Sequence, residues 1–258
     1  MPKFAANLSM LFTELDFMAR FSAASDAGFH GVEYLFPYAE SANDIKHQLD
    51  QNHLEQVLFN LPAGNWDAGD RGVAVDPSRI AEFREGVPTA IEYAKVLGCK
   101  QVNCLAGIVP DGVTTEQAQA TFVSNLRFAA QALEEEGISL VIEAINTRDI
   151  PGFFLNTTAQ ANAIIEEVGS ANLNLQYDIY HMQIMEGDLA PTIQQNLAQI
   201  SHIQLADNPG RHEPGTGEIN YTYLLNYLDE IGYQGWVGCE YKPQTTTQAG
   251  LNWLNEYR

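Results

Sequence analysis

The chain has 258 residues, of which 45% are hydrophobic, and it carries 13 lysines and arginines against 33 aspartates and glutamates, a formal net charge of −20. This length suits one domain with a sizeable core, and the acidic balance argues against nucleic acid as a partner, since a phosphate backbone demands a basic face. No apolar run of about 18 residues and no cationic leader followed by an apolar stretch occurs, so we expect no membrane insertion or secretion and predict a cytoplasmic protein.

Strand-like and helix-like patterns alternate along the whole chain. The predicted strands are residues 4–8, 31–36, 56–60, 101–105, 139–143, 173–178, 201–204 and 236–240. The predicted helices are residues 16–27, 43–52, 77–97, 115–136, 158–168, 189–199 and 221–231. A long glycine-rich loop, residues 61–76, follows the third strand and carries Trp66.

This alternating order fits either a closed barrel or an open doubly wound sheet. Neither G-x-G-x-x-G nor G-x-x-x-x-G-K-[ST] occurs, so dinucleotide and P-loop nucleotide sites lose their main support. Eight strand-plus-helix units in 258 residues, with polar residues ending strands five to eight, favour a single α/β domain over residues 1–258, a (β/α)8 TIM barrel.

Four oxygen-bearing side chains, Glu143, Asp178, Gln204 and Glu240, end the last four predicted strands. Any one of them alone is more often a helix cap or a turn residue. In a (β/α)8 barrel, however, the carboxyl ends of the strands converge on one mouth, where four such ends would form a cage of oxygens. The cage predicts a hard divalent cation, Mg²⁺ or Mn²⁺, because uncompensated charge packed there would be costly.

The scarce cations fall near the same mouth. From residue 101 onward the chain has one lysine and four arginines: Lys242, Arg127, Arg148, Arg211 and Arg258. Arg148, Arg211 and Lys242 lie just past predicted strands, and Arg71 lies in the long loop. Their placement predicts an anionic small-molecule substrate. The alternative is that each cation forms an ordinary ion pair with a neighbouring acidic residue.

The roles of several other side chains have two interpretations. His181 follows Asp178 by three residues and is predicted to bind substrate; His202 alternates with Gln204, so both side chains can point inward. Trp66 is either part of a lid over the mouth or packed beneath its own loop. The remaining histidines, His30, His47, His53 and His212, are read as solvated, capping or undecided. Cys99, Cys104 and Cys239 show no zinc spacing and are read as buried free thiols.

Five stretches carry a resemblance to a known family. They are F-A-A-N-L-S-M-L-F (residues 4–12), F-N-L-P-A-G-N-W (59–66), Y-D-I-Y-H-M-Q (177–183), E-P-G-T-G-E-I-N-Y (213–221) and G-C-E-Y-K-P-Q-T-T-T (238–247). Through them the whole chain resembles the hydroxypyruvate isomerase family, within the xylose isomerase-like barrels that also include sugar epimerases and endonuclease IV. The resemblance implies metal binding through Glu143, Asp178, Gln204 and Glu240, with Glu143 and Glu240 also the acid/base pair. Many of the epimerases have a histidine where this chain has Gln204.

The predicted reaction interconverts hydroxypyruvate and tartronate semialdehyde. It needs a proton removed beside a carbonyl and returned to the adjacent carbon, with a cation stabilising the enediolate. Arg211, Lys242 or His181 would hold the substrate carboxylate, and Trp66 and Arg71 would cover it.

Other functions stay open at this stage. A 2-oxotetronate isomerase or a ketose 3-epimerase would use the same scheme, and a metal or sugar-acid binding protein would need no acid/base pair. A phosphodiesterase of the endonuclease IV type is disfavoured, because a multi-zinc site needs more histidines and the surface is acidic. The expected partner is a small anionic 2-oxo acid, and a homo-oligomer is possible.

Overall fold

The computed structural model describes residues 1–257, and Arg258 lies outside the described residues. Within residues 1–257, eight parallel strands close into one barrel in chain order, so that β8 pairs with β1. The strands are β1 (Lys3–Asn7), β2 (Gly31–Glu33), β3 (Glu55–Asn60), β4 (Gln101–Cys104), β5 (Ser139–Glu143), β6 (Leu173–Asp178), β7 (Ile200–Leu205) and β8 (Trp236–Cys239). The predicted (β/α)8 fold is confirmed.

Helices surround the barrel and cover the outer faces of the strands. The α-helices of residues 1–257 are α1 (Arg20–Asp26), α2 (Ala42–Asn52), α3 (Ile80–Leu97), α4 (Thr115–Glu134), α5 (Thr158–Val168), α6 (Ile179–Met185), α7 (Leu189–Asn196) and α8 (Tyr221–Glu230). Two 3₁₀ segments, Phe17–Ala19 and Gln248–Tyr257, complete the described structure. No helix in this part of the chain has both the length and the apolar character needed to cross a bilayer.

Local sequence signals explain where several helices begin and end. Thr114 forms a capping box with Gln117 at the start of α4, and the Thr157 hydroxyl accepts the Gln160 N–H at the start of α5. Gly169 ends α5 in the left-handed conformation that glycine adopts without strain. Sequence patterns locate helix ends with such caps most accurately, and α5 has the predicted bounds.

Several predicted bounds were wrong, and three of the larger differences concern β2, α1 and α3. The second strand ends at Glu33 instead of residue 36, because its pairing with β3 shifts at Val32/Glu33 and the Leu35 N–H then donates to the Ser9 hydroxyl. The first helix begins as a 3₁₀ turn, and the third begins at Ile80 instead of residue 77. The helix α6 and the 3₁₀ segment 248–257 were not predicted at all.

The barrel interior changes character along its axis. Ala5, Val57, Leu58 and Val141 form a small apolar cluster with Trp236 packed against it. Above this cluster, toward the carboxyl ends of the strands, the buried side chains are polar: Asn7, Glu33, Asn60, Asn103, Glu143, Gln176, Asp178 and Gln204. The apolar layer fixes the strands, and the polar layer is the floor of the mouth.

Candidate active site

The four predicted oxygen ligands converge at the mouth of the barrel. Glu143 and Asp178 are the last residues of β5 and β6. Gln204 lies opposite Asp178 in the sheet register, and Glu240 directly follows β8. All four are buried. Ligand atoms of Glu143, Asp178, Glu240 and His181 lie within 4.8 Å of one another, a spacing that a single cation can bridge.

A small cavity of ≈ 80 Å³ opens onto this group. Both halves of the barrel contribute to its polar wall, and loops supply its apolar wall. The polar lining is Asn7, Glu33, Asn60, Glu143, Gln176, His181, Gln204, Arg211 and Glu240, and the apolar lining includes Met10, Trp66, Leu105, Ile145 and Ile150. The volume is far below the roughly 300–1,000 Å³ of pockets for drug-sized ligands, so the site suits a molecule of a few atoms.

Burial raises the pKa of each carboxyl in the cluster. The pKa of Glu240 rises to about 8, because burial and the charges of Asp178 and Glu33 outweigh the opposing effect of Arg211. Burial also raises the pKa of Asp178 to about 6. The pKa of Glu143 lies well above 4.5 through burial and the charges of Glu240 and Asp178. The cluster therefore resists full ionisation unless a further positive charge compensates it.

The tautomer of His181 is set by the neighbouring Asn146. The Asn146 Oδ1 accepts the backbone N–H groups of Arg148 (3.0 Å) and Asp149 (2.7 Å), which turns its Nδ2 toward His181. This Nδ2 lies 2.6 Å from the His181 Nδ1. The Nδ1 is then the acceptor, and in the neutral ring the proton sits on Nε2.

The Nε2 of His181 faces the carboxylates. It lies 3.5 Å from Asp178 Oδ2 and 3.8 Å from Glu143 Oε1. Burial, with the charge of Arg211 acting in the same direction, lowers the pKa of His181 well below 6.5. At neutral pH the side chain is uncharged and directs its Nε2–H at the cavity, so in this tautomer Nε2 can donate to a substrate oxygen and cannot ligate a metal.

Arg211 is the predicted cation that reaches the site. Its guanidinium lies 2.6 Å from Glu240 Oε2, 3.8 Å from Asp178 Oδ2 and 3.5 Å from Asp149 Oδ2, and it stacks over the Tyr180 ring at 5.0 Å. Burial alone would lower the pKa of Arg211, but the surrounding carboxylates, Glu240 and Asp178 foremost, raise it above its usual value overall. The group is therefore a permanent, positioned positive charge on the cavity wall.

The other predicted cations lie elsewhere. The Lys242 side chain is exposed, and only its backbone joins this region, through its N–H to the Arg211 carbonyl. Arg148 is exposed. Arg71 stacks over the Trp66 ring at 4.3 Å and donates to the carbonyls of Trp66 and Asp70, and it does not line the cavity. The structure thus brings together Arg211 and the acids, and it does not bring Lys242, Arg148 or Arg71 to them.

Trp66 lines the cavity as part of its apolar wall. Its ring packs against Phe36 at 5.1 Å between centroids. The loop that carries it is bonded to the loop after β4, where the Val75 N–H donates to the Ala106 carbonyl. A Cβ on Gly72 would lie 2.5 Å from the Leu105 carbonyl, so glycine is needed for this close approach.

The polar residues of the first four strands were missed by sequence reasoning. Asn7, Glu33 and Asn60 end β1, β2 and β3, and Asn103 lies at the next-to-last position of β4. Asn103 Nδ2 donates to Glu143 Oε2 at 3.3 Å and to Asn60 Oδ1 at 3.1 Å. Asn60 ends its predicted apolar run and could have been found by the signal used for the last four strands, applied to amides as well as acids. Asn7, Glu33 and Asn103 lie before the ends of their predicted runs, so that signal does not mark them.

His202, His212 and the three cysteines were also singled out in the sequence. His202 is buried beside Glu33, as the inward orientation predicts. His212 Nδ1 lies 2.6 Å from the Lys242 carbonyl in the loop after β7. The free thiols of Cys99, Cys104 and Cys239 are buried, and burial raises the pKa of each. They are therefore inert thiols that pack as small apolar groups.

Comparison with known proteins gives matches over the full length. A family model described as a xylose isomerase-like TIM barrel matches residues 21–257. The hydroxypyruvate isomerase of Escherichia coli strain K12 is 57% identical over 258 residues, covering all of both chains. A 2-oxo-tetronate isomerase of Cupriavidus necator is 49% identical over 257 residues, covering 100% of this chain and 99% of that protein.

A solved structure shows the same architecture. The crystal structure of a protein named AP endonuclease, family 2, from Brucella melitensis is 45% identical and superposes with a TM-score of 0.98, covering 100% of both chains. The family model, these relatives and the closed barrel agree with the resemblance carried by the five sequence stretches. The chain is a member of the xylose isomerase-like TIM barrel family.

Proposed function

We propose that this chain is an isomerase that interconverts hydroxypyruvate and tartronate semialdehyde. The observation that carries the proposal is the pair Glu143 and Glu240, buried in one carboxylate cluster beside the Arg211 guanidinium, at the mouth of a small cavity. The full-length similarity to the hydroxypyruvate isomerase of Escherichia coli supports the same reaction. The three buried free thiols suit a reducing compartment, and we propose the cytoplasm.

The residues present fit a divalent cation. Asp178 Oδ2 is buried and has no hydrogen-bond partner among residues 1–257, and three clustered carboxyls have pKa values raised by burial. Glu143, Asp178, Gln204 and Glu240 would hold the ion through oxygen atoms only, the donor set that Mg²⁺ or Mn²⁺ prefers. When bound, the ion would polarise the substrate carbonyl and balance negative charge on its oxygens.

The two glutamates are proposed to move the proton. Glu143 is the last residue of β5, and Glu240 directly follows β8. The two carboxyls therefore approach the cavity from different sides of the barrel. One takes the proton from C3 of hydroxypyruvate and the other delivers a proton to C2, while the hydroxyl proton passes from O3 to O2. Because burial raises the pKa of both carboxyls, and that of Glu240 to about 8, an acid and a base can coexist in the pair.

Arg211 and His181 would orient the substrate. The guanidinium offers paired donors to a carboxylate, and the neutral His181 presents its Nε2–H to an oxygen. Met10, Trp66 and Ile150 close the apolar side and limit the length of the substrate. An acid of three carbons therefore fits best, because longer chains would have to displace this wall.

Two alternatives follow from the names of similar proteins. Isomerisation of 2-oxo-tetronate is favoured by the 49% identical relative of that name, and the same residues would perform it. An endonuclease activity at abasic sites is suggested only by the name of the Brucella melitensis protein. The net charge of −20 and the small cavity disfavour a nucleic acid substrate, and a pure binding protein would have no use for two proton-transfer carboxyls.

A substrate panel tests the proposal. The protein is stripped with a chelator, reconstituted with Mg²⁺ or Mn²⁺, and assayed on hydroxypyruvate, 2-oxotetronate, a neutral ketose and an abasic-site duplex. We expect turnover only with metal, the highest kcat/KM on hydroxypyruvate, and uptake of solvent deuterium into the product. A higher kcat/KM on another member of the panel would overturn the substrate, and complete retention of the substrate hydrogen would overturn the proton-transfer mechanism.

A further inference from the structure

A buried carboxylate outside the acid cluster crosses the interior of the barrel. Glu33 ends β2 and is 1% exposed, yet its side chain reaches His202 and Gln204 on β7. The strands β1 and β8 lie between β2 and β7 in the barrel order, so this contact spans the floor of the mouth. Gly238 on β8 makes the crossing possible, because a Cβ there would lie 2.3 Å from Glu33 Oε2.

Three N–H donors converge on the Glu33 carboxylate. Its Oε1 accepts Asn7 Nδ2 at 3.0 Å and Gln204 Nε2 at 2.7 Å, and its Oε2 lies 2.7 Å from His202 Nε2. An ionised carboxylate only accepts hydrogen bonds, so each of these partners must turn a nitrogen toward it. On the far side of His202, Gln101 Nε2 lies 3.4 Å from Nδ1. This leaves Nδ1 as an acceptor and places the ring proton on Nε2, facing Glu33.

The contact with Glu33 fixes which amide atom of Gln204 faces away from that carboxylate. With Nε2 held by Glu33, the Oε1 of Gln204 is turned away from that carboxylate, where it accepts Gln176 Nε2 at 2.6 Å and keeps a second lone pair. A flipped amide would set Oε1 against the carboxylate of Glu33. A glutamine ligates a cation only through its oxygen, so the contact with Glu33 selects the orientation that a ligand needs.

Through Asn7, Glu33 is also linked to Glu240, a member of the proposed acid/base pair. The Asn7 Oδ1 accepts the Ser9 N–H at 3.1 Å, and its Nδ2 donates both to Glu33 and, at 3.1 Å, to Glu240 Oε1. Glu33 thus holds one end of the amide that touches Glu240. One buried carboxylate governs the orientation of a predicted ligand on β7 and of a predicted acid/base residue after β8.

We propose that Glu33 is a positioning residue that presents the Gln204 oxygen to a divalent cation and fixes Glu240 through Asn7. The inference rests on the proposed function, because it concerns the same cation and the same glutamates. It assigns to Glu33 no contact with substrate and no proton transfer. Its expected signature is a loss of metal affinity and of kcat with little change in KM.

The test uses Glu33→Gln, which keeps the size of the side chain but replaces one acceptor oxygen with an N–H₂ group. That group would face N–H donors, so Gln204, His202 or Asn7 must turn. We expect titration of the metal-free protein with Mn²⁺ to show a Kd about 10- to 100-fold higher than for the wild type. At saturating Mn²⁺, kcat on hydroxypyruvate should stay below the wild-type value while KM is nearly unchanged.

Two further variants separate positioning from general stability. Glu33→Asp keeps the charge but retracts it from Gln204, and we expect an intermediate Kd that remains measurable if Glu33→Gln fails to fold. Asn125→Ala is the matched control, because Asn125 is fully buried outside the barrel and its Nδ2 donates to the Ala74 carbonyl. It should lower the thermal midpoint in chelator and leave the Mn²⁺ Kd unchanged.

The outcomes distinguish this inference from the function on which it rests. A wild-type protein that binds no Mn²⁺ would overturn the proposed function and this inference with it. Wild-type binding together with an unchanged Kd in Glu33→Gln and Glu33→Asp would overturn the inference alone. A fall in thermal midpoint without a change in Kd, as expected for Asn125→Ala, would reduce Glu33 to a structural residue and would also overturn it.

Discussion

The two halves of the barrel mouth differ in the chemistry they supply. The half built by β5 to β8 contributes Glu143, Asp178 and Glu240, buried carboxyls whose pKa values are raised by burial. The half built by β1 to β4 contributes mainly amides, Asn7 and Asn103, whose Nδ2 groups donate to those carboxyls. Reactive charge and the donors that orient it thus come from different halves of the barrel, across the β8–β1 and β4–β5 pairings. Variants in the two halves should therefore fail in different ways.

The largest effect is expected in the acidic half. Glu143→Gln and Glu240→Gln keep a ligand oxygen but remove proton transfer, so kcat on hydroxypyruvate should fall by about 10²–10⁴-fold. Steady-state kinetics at saturating metal, with Glu218→Gln in the exposed part of a mouth loop as the matched control, measures this. A variant of either glutamate with near wild-type kcat would remove it from the acid/base pair.

The next largest effect should distinguish the cations around the mouth by their influence on KM. Arg211→Ala removes a guanidinium that lies 2.6 Å from Glu240 Oε2, and the lost charge-assisted hydrogen bonds should raise KM for hydroxypyruvate by about 10- to 100-fold. Lys242→Ala changes an exposed side chain and should alter KM by less than about 2-fold. Comparable effects of the two variants would show that the substrate carboxylate is held elsewhere.

A smaller effect is expected in the amide half. Asn103→Leu deletes the 3.3 Å donor to Glu143 Oε2, and kcat should fall by about 10-fold, the size of one hydrogen bond to a charged group. The Mn²⁺ Kd should stay close to the wild-type value, since Asn103 touches only one of the four predicted ligands. Kinetics and metal titration on the same preparation provide the measurement. A loss as large as that of Glu143→Gln would abolish the distinction between the two halves.

The last prediction concerns the pH dependence of the metal-free fold. Burial raises the pKa of Glu240 from 4.5 to about 8 and that of Asp178 from 3.8 to about 6, so the folded state binds more protons than the unfolded state between these values. Stability therefore falls as pH rises from about 4 to about 8, because ionising these groups in the folded protein is penalised. Thermal midpoints in chelator across this range should show the decline.

Bound metal should reverse this trend. A cation stabilises the ionised carboxyls, so its binding near pH 7 should release protons from the cluster. Calorimetric titrations in buffers of different ionisation enthalpy measure that release. A metal-free midpoint that rises from pH 5 to 8, or metal binding without proton release, would contradict the raised pKa values of the acidic half.

The sequence predicts the acidic half far better than the amide half. Glu143 and Asp178 end apolar runs with the expected bounds, and the regular strand-and-helix spacing places them at one mouth. Glu33 was missed because the apolar residues that follow it extended the predicted strand to residue 36, while the structure shifts register at Val32/Glu33. The register of one strand against its neighbour is a tertiary property that no local pattern reveals.

Loop geometry was the second limit on the sequence-based prediction. Arg211, Lys242, Arg148 and Arg71 carry the same kind of charge near the same strand ends, and composition does not rank them. In the structure, Arg211 adopts a left-handed backbone with φ of 55°, and its side chain turns inward to Tyr180 and Glu240. A positive φ in a residue other than glycine is sustained by the surrounding loop, so it follows from contacts that are distant in sequence.

The bare backbone at Gly238 links two positions that are far apart along the chain. Any side chain there would collide with Glu33, since even a Cβ would lie 2.3 Å from its Oε2. Substitutions at these two sites are therefore not independent, and we expect them to covary among related chains. A relative that gains a side chain at the position of Gly238 should carry a shorter residue at the position of Glu33, and a side chain engineered at Gly238 should be accommodated only when Glu33 is shortened as well.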